Sequence, residues 1–177
     1  HKQHENWGNE DRNTVKQQDW FRSTVSDLSH QIMLRINAAA VINPVNLIAT
    51  TILATPRQSI DEFDLLQQCD FYKQLIESQP YLDSITLQDN VNERELRRIE
   101  QQGLIHIHPH KLGNIIYLKP EHAILISYYR NNSLHTLILP SLVACCFLNI
   151  RTIKQEKLIS IVRYVYPFLA SELHLPW

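Results

Sequence analysis

The sequence predicts a mainly α fold: a bundle-like domain of packed helical hairpins carrying one short β-hairpin. Three observations lead there. Apolar residues recur at spacings of three and four along much of the chain, the period of a helix with one buried face. Prolines and cap residues punctuate those stretches where helices start and stop. Two short β-branched runs, Leu104–His108 and Ile115–Leu118, flank a turn at Pro109–Asn114 and read as a hairpin.

The elements follow in order. Residues 1–18 are rich in Asn, Gln and charge with little to bury, and read as a linker or boundary segment. A first helix is expected from about Trp20 to Ala40, with Val25, Leu28, Ile32, Ile36 and Ala39 on one face. Asn43-Pro44 is a cap followed by proline at the first helical position, where the missing N–H costs nothing. The helix it opens is nearly all apolar, which predicts a central position, and Pro56 ends it. Ser59-Ile60-Asp61-Glu62 matches a capping box for a third helix, whose stripe runs from Phe63 through Cys69 to Ile76 and stops near Pro80.

A short helix is expected at about Glu93–Gln102, closed by Gly103 in the left-handed conformation. With the hairpin it forms a small unit over residues 91–118. Pro120-Glu121 opens another helix, and helices continue to the end. A loose internal repeat is also visible. Pro44 and Pro140 each open an apolar helix that stops before a cap, at Ser59-Ile60 and Thr152-Ile153. Each unit is expected to be a buried pair of helices, so Asn43–Ala54 and Leu137–Leu148 should both be core.

The 177 residues can enclose one good core or two small helical lobes, and an apolar content of 44% is ordinary for a folded domain. Seventeen basic and 18 acidic side chains leave a charge of -1, which argues against a nucleic-acid surface. Three cysteines, two of them adjacent at 145 and 146, fit a reducing compartment. No apolar leader is present in the first twenty residues. The apolar stretches Ala38–Ala54 and Leu134–Leu148 each contain a proline and fall short of the roughly 20 residues that cross a bilayer. Attachment at a membrane surface is compatible with this. The polar start and the end at Leu175-Pro176-Trp177 read as a piece of a larger protein.

Candidate chemistry is sparse. His106 and His108 would share a strand face, but Pro109 breaks the pattern before His110, and hairpin surface outweighs a zinc site. No nucleophile elbow or phosphate loop is present. The segment Tyr128-Tyr129-Arg130-Asn131-Asn132 with His135 stands out between two apolar runs. Arginine offers a rigid donor fork for phosphate or carboxylate, and Asn binds hydroxyls or backbone. Alternatively the group is a polar network joining two lobes, with Asn131-Asn132 as a bend or cap. Arg35-Ile36-Asn37 is a second polar interruption with the same two readings.

These residues resemble the bacterial glycerol-3-phosphate acyltransferases, the large membrane-associated enzymes that start phospholipid synthesis. The matching segments are Arg35-Ile36-Asn37, Asn46-Leu47 to Ala54 with Arg57-Gln58-Ser59, Gly113 to Leu118, Tyr128 to Asn132 with His135, Leu139-Pro140-Ser141-Leu142, and Tyr166-Pro167 to Glu172-Leu173. They keep their order over most of the chain. The resemblance implies transfer of a fatty acyl group from acyl carrier protein or acyl-CoA to the 1-hydroxyl of sn-glycerol 3-phosphate, giving lysophosphatidate.

The family's catalytic motif is His-x-x-x-x-Asp, with histidine as base and aspartate orienting it. Five residues beyond each histidine stand Asn6, Asn9, Arg35, Lys111, Gly113, Ile115, Ser127 or Pro140, and His174 has none. The resemblance therefore implies the helical region that follows the acyltransferase domain, inactive alone and without cofactor or metal. Its partners would be that upstream domain, the two substrates through it, and a peripheral seat on the cytoplasmic side of the inner membrane. Tyr128, Tyr129, Arg130, Asn131, Asn132, His135, Arg35 and Asn37 would lie near substrate or at the domain interface. The alternative is a non-catalytic helical module that binds a protein or lipid surface.

Overall fold

Asn43 determines where the central helix begins. In the computed structural model, which describes residues 19–175, its backbone is extended and its side chain accepts from the Asn46 N–H at 3.1 Å. Asn46 Oδ1 accepts in return from the Asn43 N–H at 2.9 Å, so two donors that the helix leaves orphaned are satisfied reciprocally. The polar segment 1–18 lies outside the described residues, as do residues 176 and 177.

Helix α1 spans Asp19–Ala38 and leads into the two-residue strand β1, Val41–Ile42. Helix α2 (Pro44–Ala54) follows, and every residue from Pro44 to Ile52 is buried. Strand β2 (Ser59–Asp61) leads into α3 (Glu62–Glu77), then β3 (Thr86–Leu87) and α4 (Glu93–Gln101). Strands β4 (His106–His108) and β5 (Ile115–Tyr117) precede α5 (Ala123–Leu134), α6 (Ile138–Cys145) and α7 (Gln155–Leu173). The fold is mainly α, as the periodicity predicts.

Helix α2 packs against α5 on one side and α3 on another, which explains why it lacks a polar face. The core joins Ile48 and Ile52 of α2 with Leu65 and Cys69 of α3, Leu96 and Ile99 of α4, Ile116 of β5 and Ile126 of α5. Helix α4 ends as expected. Gly103 has φ 73, its N–H bonds to the Glu100 carbonyl, and the Leu104 N–H reaches Ile99. Two carbonyls left open by the helix are thereby closed, and buried Leu104 packs in the core beside Ile99.

Four expectations need correction. Ser59 is not a helix cap. It starts β2, and Asp61 caps α3 instead, accepting from the Phe63 N–H at 2.8 Å. The hairpin therefore gains a third strand: the antiparallel order is β2-β5-β4, with Ile60 and Ile107 both opposite Ile116. Gly113, in the hairpin turn at φ 130, lets this closure happen, since a Cβ there would lie 2.6 Å from Asp61 Oδ2.

The stripe of α1 is the second correction, because Leu28, Ile32 and Ile36 are exposed rather than packed. Leu137–Leu148 is the third. Leu137 is buried, but α6 buries no residue, and Leu148 is 77% exposed. Last, the internal repeat does not extend to tertiary structure: α6 opens at Ile138, and α7 is preceded by Lys154 with no side-chain cap. An apolar helix becomes core only where its neighbours cover it, and α6 packs mainly on α7 and on the turn just before it.

Candidate functional site

The polar groups singled out in the sequence lie on α5, on the turn that follows it and at the end of α1. Tyr128 to Asn132 lie within α5, so Asn131 and Asn132 form neither a bend nor a cap. Tyr128, Asn131 and Asn132 are exposed, while Tyr129 packs against the core. Arg130 is half-buried; its guanidinium turns to its own neighbour, with Nη2 3.0 Å and Nε 3.2 Å from Asn131 Oδ1.

His135 leaves this group. It sits in the 3-10 turn His135–Leu137, buried, with Nε2 donating to the Asn37 carbonyl at 3.1 Å. Asn37 is a junction. Its Nδ2 donates to the carbonyls of Leu173 and His174 at 2.8 and 2.9 Å, tying the end of α1 to the end of α7. Two turns earlier His30 Nδ1 lies 3.1 Å from His174 Nδ1, where His174 adopts φ 49 past the helix end. Arg35, by contrast, is exposed. The structure thus joins Asn37 with His135 and separates both from the Tyr128–Asn132 surface.

Burial lowers the His135 pKa below 6.5, and the bond to the Asn37 carbonyl offsets this only in part. The sign follows from linkage. Below about pH 6.5 the unfolded chain takes up a proton that folded His135 refuses, so its contribution is complete above that pH and shrinks as pH falls. We expect His135→Gln to flatten the slope of unfolding free energy against pH in this window, read from urea titrations at several pH values. Parallel slopes for the two proteins would remove His135 as the source.

Two open clefts have linings that bear on ligand charge. One of about 340 Å³ is lined by Asp61, Glu62, Glu93, Phe63, Leu112 and Asn114; the other includes Asp89, Glu95 and Arg98. Glu62 accepts from Asn114 at 2.7 Å, and Arg98 is held by Glu95 at 2.6 Å. His106 and His122 stack 5.6 Å apart, each with one buried nitrogen lacking a hydrogen-bond partner; burial first, then Lys119 and His122, push His106 down. Cys69 is a core thiol pushed up to about 12 by desolvation. Among the described residues no three His, Cys, Asp or Glu side chains are grouped to hold a metal ion.

The family model for the glycerol-3-phosphate acyltransferase C-terminal region matches residues 1–177. The chain belongs to this family. A glycerol-3-phosphate acyltransferase of Xanthomonas campestris pv. campestris is 37% identical over 171 residues, which is 97% of this chain and 19% of that protein. One from Pseudomonas aeruginosa (strain LESB58) is 36% identical over 171 residues, again 97% of this chain and 20% of the relative. One from Xanthomonas axonopodis pv. citri (strain 306) is 40% identical over 158 residues, 89% of this chain and 18% of the relative. The chain spans about one fifth of the length of the curated relatives it matches. No solved structure matches it.

In this acyltransferase C-terminal region, the polar residues that sequence reasoning passed over are those inside the seam between α2 and α5. Asn46 is 1% exposed, and its Nδ2 donates to the Tyr129 carbonyl at 2.8 Å. Thr50 and Ser133 share a hydrogen bond at 3.2 Å, and the Thr136 hydroxyl donates to the Ser133 carbonyl at 2.7 Å. Asn46 and Thr50 stand four apart on an otherwise apolar helix, which was the available signal: polar groups there are buried and must be paired. No described helix is long and apolar enough to cross a membrane.

Proposed function

We propose that this chain is the non-catalytic helical region of a glycerol-3-phosphate 1-O-acyltransferase. The parent enzyme would transfer a fatty acyl group from acyl carrier protein or acyl-CoA to sn-glycerol 3-phosphate, giving lysophosphatidate. The observation that carries this reading is a match along the whole chain to the family's C-terminal region, in a sequence where no histidine has an aspartate five residues on. Electrostatics agree. Glycerol 3-phosphate and both acyl donors are anions, whereas the clefts at Asp61–Glu62 and at Asp89–Glu95 present carboxylates. An anion is repelled there.

The region's work is then support: it packs beside the upstream domain and helps seat the enzyme on the cytoplasmic face of the inner membrane. A net charge of -1 supplies no attraction to anionic lipid, so the chain alone would associate with such vesicles weakly. The test is acyl transfer to glycerol 3-phosphate by the parent enzyme, the isolated chain and the parent with this region deleted. Turnover is expected from the parent alone. Turnover by the purified isolated chain, or an unimpaired deletion variant, would overturn the reading.

In this reading Arg130 is structural and does not bind substrate, since the residue is half-buried on α5 and its fork is already engaged with Asn131. In the parent enzyme Arg130→Lys keeps the charge but removes the planar fork. The expected outcome is a lowered Tm with a near-normal KM for glycerol 3-phosphate. A large rise in KM at unchanged Tm would place Arg130 with the substrate instead.

A further inference from the structure

Among the described residues, helices α1, α6 and α7 bury none of their own. They are not polar helices. Leu28 and Ile36 on α1 are 59% and 58% exposed, Tyr164 and Phe168 on α7 are 76% and 65% exposed, and Leu148 just beyond α6 is 77% exposed. Side chains of this size scattered singly are ordinary, but the rows on α1 and α7, with Phe147 and Leu148 just past α6, form an unfinished surface. It is also held in place. Asn37 ties α1 to the last carbonyls of α7, His135 holds the Asn37 carbonyl, His30 meets His174, and α6 packs on α7. A pre-arranged face loses little freedom when it is covered.

We propose that this face, built from α1, α6 and α7, is the interface on which the rest of the acyltransferase polypeptide docks. The proposal rests on the preceding functional reading and names the surface through which it operates. Two observations select this occupant. The first is length: relatives of this chain carry about four fifths of their residues outside the matching region, so a partner is covalently present. Linkage in one polypeptide gives it an effective concentration on the order of millimolar, which makes docking favourable even for a modest patch.

The second is charge. Helix α1 contains two Asp and two Arg, α7 contains two Glu, one Lys and one Arg, and α6 contains no charged residue. Each helix is therefore electrically balanced. A helix that lies in a lipid interface typically surrounds its apolar face with Lys and Arg to meet anionic headgroups. These three do not. Permanent protein interfaces, in contrast, resemble a domain core cut in half, apolar and poor in net charge.

The test places a photoreactive benzoylphenylalanine at Ile32 or at Phe168 of the full-length parent enzyme in its native membrane preparation. The control position is Gln67, exposed on α3. Irradiation should shift the mobility of the single polypeptide at Ile32 and Phe168 but not at Gln67, with mass spectrometry locating the new bond in the segment that precedes this region. A covalent dimer would assign the face to a second copy, a phospholipid adduct would assign it to the bilayer, and no shift would leave it solvent-exposed. Each of those three results overturns the proposal. Acyl transfer to glycerol 3-phosphate, measured on the same preparation, tests the functional reading separately.

Discussion

Asn46→Asp is expected to destabilise the folded chain by about 3–5 kcal/mol at pH 7, the scale of a buried charge left without compensation. The substitution changes almost nothing in size. It keeps an oxygen for the Asn43 N–H but replaces the Nδ2 donor, which points at the Tyr129 carbonyl 2.8 Å away, with a second acceptor. Two acceptors then face each other at a position only 1% exposed. Protonation removes the conflict, because a carboxylic acid can donate to that carbonyl.

Burial raises the pKa of such an aspartate in the fold above its unfolded value. The penalty is therefore absent well below the unfolded pKa and grows as pH rises toward the folded one. Asn46→Ala is the comparator: it loses both side-chain contacts without adding charge, at an expected cost of about 1–3 kcal/mol. Urea titrations of the three proteins at pH 7 and at acid pH decide the matter. An aspartate variant no weaker than the alanine variant at pH 7 would remove the Asn46–Tyr129 contact from the forces holding α2 to α5.

The second large effect contrasts two helical stretches that look alike in sequence. Ile48→Ala should cost about 2–5 kcal/mol, since the side chain is fully buried and its neighbours on α3 and α5 cannot collapse freely into the space. Leu148→Ala, beyond the end of α6, should change the stability of the isolated chain by no more than about 0.5 kcal/mol. In the full-length enzyme Leu148→Ala becomes costly if the exposed face is covered there. Equal effects of the two substitutions in the isolated chain would contradict the burial assigned to α2 and α6.

Much of the fold was legible from residues that act locally. Asn43-Pro44 marked the start of α2, Gly103 the end of α4, and the β-branched runs around Pro109–Asn114 the hairpin. Strand β2 was not legible. Ser59-Ile60-Asp61-Glu62 satisfies a capping pattern as well as a strand, and only the approach of β5, more than fifty residues later, makes Ser59–Asp61 extended. The parallel pair of β1 with β3 was invisible for the same reason, since two residues carry no period. At the site, the exposed row Tyr128, Asn131 and Asn132 was visible as unusual chemistry. The buried partners Asn46, Thr50 and Ser133 were visible only as polar letters in apolar helices.

What the sequence determined by itself is local and chemical: where α2 begins and α4 ends, that charge is nearly balanced, and that no histidine has an aspartate five residues on. These depend on groups within about one helical turn of each other, or on composition. Only the tertiary structure decided which apolar helices are core. Helices α2 and α6 are both strongly apolar, yet α2 lies between α3 and α5 while α6 buries nothing. It also decided that His135 turns inward to Asn37 while Tyr128 faces out. Hydrophobicity is non-directional, so it specifies that a face will be covered and leaves the choice of partner to packing.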